Sequence, residues 1–302
     1  MTSDVTKLDD FTPSQFNALQ KRFNWKNKWI QIAPFSIILA VFILVALLPS
    51  VFTNHPPNLT DLSLRLKGPG YSSHGSTYFL GTDELGRDVY SRLLYGARVS
   101  LSVSVASVFL SGLIGGLLGI LAGFYKNRVG TMIMRVADIV LSIPFLLLAI
   151  LTVAVLGPNL MNLIIVLGIT RWPRYARVAF GQTLATVNQE FVQAAKALGA
   201  RSWRLIVKHI LPEIIPSLVV VATLEVGLMI IYEASLSFIG LGVQPPNPSW
   251  GSMLTEGQQY VDTAWWLATF PGMAIFLVVL SINLIGDFIR DVLDPKDKLS
   301  NK

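Results

Sequence analysis

Long apolar runs alternate with short polar stretches along this chain of 302 residues. In a helix, roughly 20 apolar residues cross a hydrocarbon core about 30 Å thick. The runs predict six spans: 29–52, about 100–125, about 132–156, about 160 to near Trp172, about 214–239 and about 267–289. The expected fold is therefore all-α and polytopic. Its parts are a polar leader (1–28), the first span (29–52), a loop with an interfacial helix (53–97), a core (98–290) and a polar tail (291–302).

The punctuation between the runs adds detail. In the leader, Phe16, Leu19, Phe23 and Trp25 stand among Lys21, Arg22, Lys26 and Lys28. This suggests a basic amphipathic helix on the inner membrane surface, or an ordinary flanking charge cluster. Residues 54–78 hold Pro56, Pro57, Gly68, Pro69 and Gly70 and show no periodicity, so they are expected to be loop. Thr82 is a candidate cap for a helix with Asp83 and Glu84 in its first turn, and with Glu84–Arg87 and Asp88–Arg92 pairs. Gly112, Gly115, Gly116, Gly119 and Gly123 form three overlapping pairs at four-residue spacing, which lets another helix backbone approach closely. Pro144 predicts a kink in the third span. Beyond the fourth, past Pro173 and Arg171, Arg174 and Arg177, a helix can continue to Val187. Trp250, Trp265 and Trp266 suit an interfacial belt.

Between the fourth and fifth runs lies the most polar internal stretch, 190–212, EFVQAAKALGARSWRLIVKHILP. Phe191, Ala194, Ala195 and Leu198 recur at helical spacing, and Gly199 interrupts them. Ser202 is a candidate cap for a second helix, with Arg201, Arg204 and Lys208 on one side and Trp203, Ile206, Val207 and Ile210 on another. Pro212 is where that helix is expected to break or kink. Two short helices hinged at a glycine, within a membrane protein, predict a docking element for a soluble partner.

Composition agrees with the membrane reading: 52% of the residues are hydrophobic and 14% charged. The formal charge of +6 follows from basic residues beside apolar spans, with no call on nucleic acid. With the N-terminus inside, only Arg65, Lys67, Arg87, Arg92 and Arg98 fall outside, and the other 19 of the 24 Lys and Arg fall inside. Both termini and the 190–212 stretch are then cytoplasmic. The first run is long enough to be an anchor rather than a cleaved signal. Catalysis has little support. There are no cysteines; His55, His74 and His209 lack metal-ligand spacing; and the glycine run lacks the Lys-Ser/Thr ending of a phosphate-binding loop. No catalytic residue, metal site or cofactor is expected.

Intramembrane carboxylates are functional candidates, because a charge at the bilayer centre is costly. Glu225 lies roughly 18 Å past Glu213 by helical rise, near mid-membrane, and Glu233 nearer the outer face. About 80° apart around one helix, they are placed to border one cavity. Each either lines a substrate pathway or is hydrogen-bonded to a neighbouring helix. Asp138, nearer the cytoplasmic end, is a third candidate, with a structural partner role favoured.

The 190–212 stretch also resembles a family. Ala194-Ala195, Gly199 four residues on, and Leu211-Pro212 are similar to the EAA---G---------I-LP loop of binding-protein-dependent ABC importer permeases. Gln193 stands where that pattern has Glu and His209 where it has Ile, so no ion pair of that Glu is carried over. GTDELGRD (81–88), SFIGLGVQPPNPSWG (237–251) and NLIGDFIRDVLDPK (283–296) resemble the C-type permeases of dipeptide, oligopeptide and nickel importers. The resemblance covers nearly the whole chain from the first span onward. It implies a type I importer transmembrane domain whose coupling helices sit in a groove of an ATPase subunit, through Gln193, Ala194, Ala195, Gly199, Ala200, Arg201, Leu211 and Pro212. It further implies a non-catalytic subunit in the cytoplasmic membrane, partnered by lipid, a second permease, one or two ATP-binding subunits and an extracytoplasmic solute-binding protein. Di- or oligopeptides are the expected cargo, with nickel or a metal chelate as the alternative. A stand-alone channel or membrane enzyme is the more distant one.

Overall fold

The computed structural model describes residues 13–73 and 75–293. Helix α1 (Pro13–Leu47) and the short α2 (Pro49–Phe52) open the chain. A loop follows, with a 3₁₀ turn at Leu62–Leu64 and a two-stranded hairpin, β1 (Tyr71–Ser73) and β2 (Ser76–Tyr78), pairing Tyr71 with Tyr78. Then come α3 (Val89–Tyr125), α4 (Arg128–Ser142), α5 (Phe145–Leu156) and α6 (Leu160–Val187). Next are α7 (Glu190–Ala197), α8 (Ser202–Leu205), a π turn (Ile206–Ile210) and α9 (Leu211–Phe238). Helices α10 (Trp250–Gln258) and α11 (Trp266–Leu293) close the described chain.

The bundle is built on the contact between α3 and α6; the glycine spacing predicts a close helix approach, and α6 is the helix that makes it. A Cβ at Gly115 would stand 2.2 Å from the Trp172 carbonyl oxygen, and one at Gly119 would stand 2.4 Å from that of Ala176. Only glycine lets the two backbones come this close. Helix α9 packs across this pair, where Met229 and Leu236 join Val103, Val166, Leu167 and Tyr175 in one buried cluster. A second cluster joins α1, α3, α9, α10 and α11 around Trp250.

Several expectations are corrected. The helix after the first loop starts at Val89, and its cap is Asp88, whose side chain accepts from the Ser91 amide; it is not Thr82. Residues 82–88 are instead a closed loop in which Asp83 takes the amides of Leu85 and Arg87. From Val89, α3 runs without a break into the second span. The Glu84–Arg87 pair forms, whereas Arg92 turns from Asp88 to Glu256. Residues 13–28 are helical but continuous with the first span; residues 1–12 and the tail from 294 lie outside the described residues. Trp250 is fully buried and donates to the Leu93 carbonyl, Trp266 is nearly so, and only Trp265 of the three is exposed.

The third run is more than kinked. Helices α4 and α5 meet at 95°, since Pro144 drives Ile143 out of helical backbone into the extended region. Four helical stretches are long and apolar enough to span: 29–47, 89–125, 202–238 and 266–293, with the bent pair a fifth. The fourth expected span, α6, is a 28-residue helix that carries Arg171, Arg174 and Arg177 and is not one of these. Pro212 does not break its helix. Its ring cannot share a helical turn with the carbonyl four residues back, and the π turn just before it widens that turn. The chain thus runs helically from Ser202 to Phe238.

Candidate functional site

The 190–212 segment caps one end of the bundle. Helix α7 leaves α6 after a tight turn and is held by Gln193, whose side-chain amide donates to the Val187 carbonyl at 2.7 Å. Gln193 thus does local work on the turn it belongs to. Gly199 takes φ +83°, a left-handed conformation that ends α7 and redirects the chain into α8. Ser202 is the first residue of α8 and not its cap; Arg201 holds the capping position, with no side-chain cap bond. Val192, Leu205 and Ile210 turn inward and are buried. Phe191, Leu198 and Trp203 turn outward; Leu198 is 89% exposed and Trp203 75%. Ala194 and Arg201 are exposed too, and Ala195 and Ala200 are half-buried. The apolar positions at helical spacing thus form an outer face, uncovered in the isolated chain, carrying two large side chains of the type that anchors protein interfaces.

The three carboxylates have different fates. Glu225 on α9 is fully buried and accepts from Arg171 of α6 in a fork: Nε to Oε2 at 3.0 Å and Nη2 to Oε1 at 2.8 Å. Arg174 reaches the same Oε1 at 3.1 Å. Phe145 and Tyr232 flank the Arg171 guanidinium at 5.5 and 5.4 Å from their ring centres, a cation–π cage that holds it in place. Glu233, also fully buried, accepts from the hydroxyls of Ser100 at 2.9 Å and Ser237 at 2.8 Å. The two glutamates therefore belong to separate hydrogen-bond sets, one on α6 and one on α3. Asp138 is an exposed residue of α4, bound by Arg177 at 2.6 Å.

At the opposite end of the bundle, Arg87 binds Asp83 at 2.6 Å, Glu84 at 3.0 Å and Glu256 at 3.0 Å, while Arg92 binds Glu256 at 2.8 Å. The carboxylates of Asp83, Glu84 and Glu256 come within 4.8 Å of one another, and the two arginines answer their charge. The carboxyl of Glu84 is held above the usual range, first by burial and then by neighbouring Asp83. This network ties the 53–88 loop to α10.

A polytopic bundle with an exposed apolar face on the segment between two of its long helices points to a transport subunit. Residues 115–298 match the model of the binding-protein-dependent transport system inner membrane component family, which is more than half of the chain. The chain belongs to that family. It is 44% identical over 283 residues to a probable D,D-dipeptide transport system permease protein of Escherichia coli, covering 92% of this chain and 93% of that one. A di/tripeptide transport system permease protein of Pseudomonas aeruginosa is 47% identical over 234 residues, 77% of each chain. A glutathione transport system permease protein of Pectobacterium atrosepticum is 38% identical over 284 residues, 92% and 93% of the two chains. Among solved structures, the inward-facing MetNI methionine ABC transporter shares the fold, with a TM-score of 0.55 at 23% identity, covering 67% of this chain and 96% of that one.

Within this permease family, the present chain is a non-catalytic membrane subunit with the type I importer architecture. The exposed 190–212 segment and the carboxylates within the spans are legible in the sequence. The ion-pair and hydrogen-bond partners are not: Arg171 and Arg174 for Glu225, the serines for Glu233, and Glu256 for Arg87 and Arg92. The available signal was the arginine triplet in the fourth run, which sits too deep for a span to end there.

Proposed function

We propose that this permease carries peptides across the cytoplasmic membrane, driven by ATP hydrolysis on partner subunits that dock on residues 190–212. The observation that carries the reading is the outward face of α7 and α8, with Leu198 and Trp203 standing free around the Gly199 turn. A rigid-body push on that face moves α9 directly, because α8, the π turn and α9 are one helical rod. The peptide cargo is supported by the relatives, which are named for dipeptides, di- and tripeptides and glutathione. The assembly is then a second permease, one or two ATPase subunits and an extracytoplasmic solute-binding protein, with both termini of this chain in the cytoplasm.

Reconstitution of the complex in liposomes tests this by ATP-driven uptake of a labelled dipeptide. Uptake of nickel or a metal chelate without peptide uptake would refute the cargo. Trp203→Ala tests the docking face: loss of a buried interface tryptophan costs about 2 kcal/mol or more, or roughly thirtyfold in affinity for the ATPase subunits. Unchanged ATPase binding in that variant would refute the docking role.

A further inference from the structure

Arg171, Arg174 and Arg177 stand at three-residue spacing on one side of α6. Trp172, Tyr175 and Ala176 of the same helix pack on Gly112, Gly115 and Gly119 of α3. By helical rise, Arg171 and Arg174 lie roughly 17 and 21 Å from Leu160, well within a core about 30 Å thick. The Arg174 side chain is nevertheless 48% exposed. A guanidinium exposed to lipid tails at that depth is costly. The arginine face of α6 therefore looks onto water, ligand or another protein subunit.

Its charges do not balance. Two cations share one anion: Arg171 takes both oxygens of Glu225 and is enclosed by Phe145 and Tyr232, while Arg174 touches Oε1 through Nη1 alone. Among the described residues Arg174 makes no other hydrogen bond, so the cluster keeps one positive charge and several free donors. One helical turn on from Arg171, the Tyr175 hydroxyl is buried without a partner. A hydrogen-bond set this incomplete within a membrane span is one that an anion completes.

We propose that Arg174, oriented by the Arg171–Glu225 pair, binds the carboxylate of the transported peptide during its passage. The inference rests on the peptide reading above. A carboxylate suits this geometry because a guanidinium presents paired N–H donors that match its two oxygens. Glu225 then acts as a positioning residue: it does not face the cargo's amine, and it holds the arginine that faces the cargo's acid.

The test uses the reconstituted complex with its binding protein, comparing the unmodified permease, Arg174→Gln and Arg174→Lys. Loss of a charge-assisted hydrogen bond predicts uptake of a free dipeptide lowered about tenfold or more in Arg174→Gln, with partial rescue in Arg174→Lys. For the same peptide as its C-terminal amide, loaded on the binding protein, the variants should match the unmodified complex. Where the binding protein does not load the amide, a photoreactive group next to the free C-terminus decides. Its adduct should map to α6 between residues 170 and 178 and disappear in Arg174→Gln. Uptake within twofold of the unmodified complex, or adducts elsewhere, overturns the proposal. Loss of the second permease from the Arg174→Gln complex also overturns it, by assigning the missing carboxylate to that subunit. No peptide uptake by the unmodified complex refutes the cargo reading itself, whereas uptake indifferent to Arg174 refutes the carboxylate contact alone.

Discussion

Replacing Glu225 by Gln changes one atom and removes the charge that two arginines share. Gln keeps one acceptor but places an amide N–H₂ where Oε2 stood, 3.0 Å from the Arg171 Nε–H, donor against donor. The Arg171 side chain is 11% exposed, so water cannot take over the lost role. Removing one partner of a buried ion pair costs about 3–5 kcal/mol, because the remaining charge stays buried and unpaired. At about 4 kcal/mol the folded fraction relative to unfolded falls nearly a thousandfold. Unfolding of the purified subunit in mixed micelles by a denaturing detergent reads this, in a cycle of Glu225→Gln, Arg171→Gln and the double variant. The double variant should recover at least about 1.5 kcal/mol relative to the sum of the singles, since neither partner is then left alone. Glu233→Gln is the comparison: its partners are serine hydroxyls, which reorient to accept from an amide, so the loss should stay below about 1.5 kcal/mol. Coupling under about 0.5 kcal/mol, or equal losses at the two glutamates, would refute the ion-pair argument.

Gly119→Ala should destabilise the bundle by about 1–3 kcal/mol, because its Cβ meets the Ala176 carbonyl oxygen at 2.4 Å; Gly181→Ala, which meets nothing within 4 Å, should be neutral or slightly stabilising in the same unfolding assay. Gly199→Val should lower the peptide imported per ATP hydrolysed: no atom lies within 4 Å of a Cβ there, but a β-branched residue at φ +83° costs about 1–2 kcal/mol and shifts the turn. Glu84 gives a pH dependence. Its carboxyl is raised in the native state, by burial and then by Asp83, so the folded protein holds the proton longer than the unfolded chain. As pH rises from the ordinary carboxylate range through the raised native one, its contribution to stability therefore falls, and Glu84→Gln should flatten that slope in thermal unfolding curves. An unchanged slope would remove Glu84 as the cause.

Much of this molecule is written in local pattern. Apolar runs long enough to span, glycines at four-residue spacing and the polar 190–212 insert each encode something a neighbouring stretch of chain can express without help. The glycine spacing predicts a close helix approach on α3, while its partner, α6, is known only from the packing. Local reading went astray where two capping residues competed, as at Thr82 and Asp88, and where a proline was accommodated by widening the preceding turn instead of ending the helix. It also misplaced Trp250: an aromatic near a span end suits the interface, but here Phe42 packs against it and Leu93 takes its N–H.

The amino-acid order by itself determined the helices, the hinge at Gly199 and the burden of charge placed inside the membrane. Which charge meets which was decided only in three dimensions. Arg171 and Glu225 lie 54 residues apart, and Arg87 and Glu256 169 apart. Periodicity tells which side of a helix is polar, but a buried charge is settled by what the neighbouring helix brings to it. That depends on the rotation and depth at which α6 and α9 pack, and those are set by the whole bundle at once.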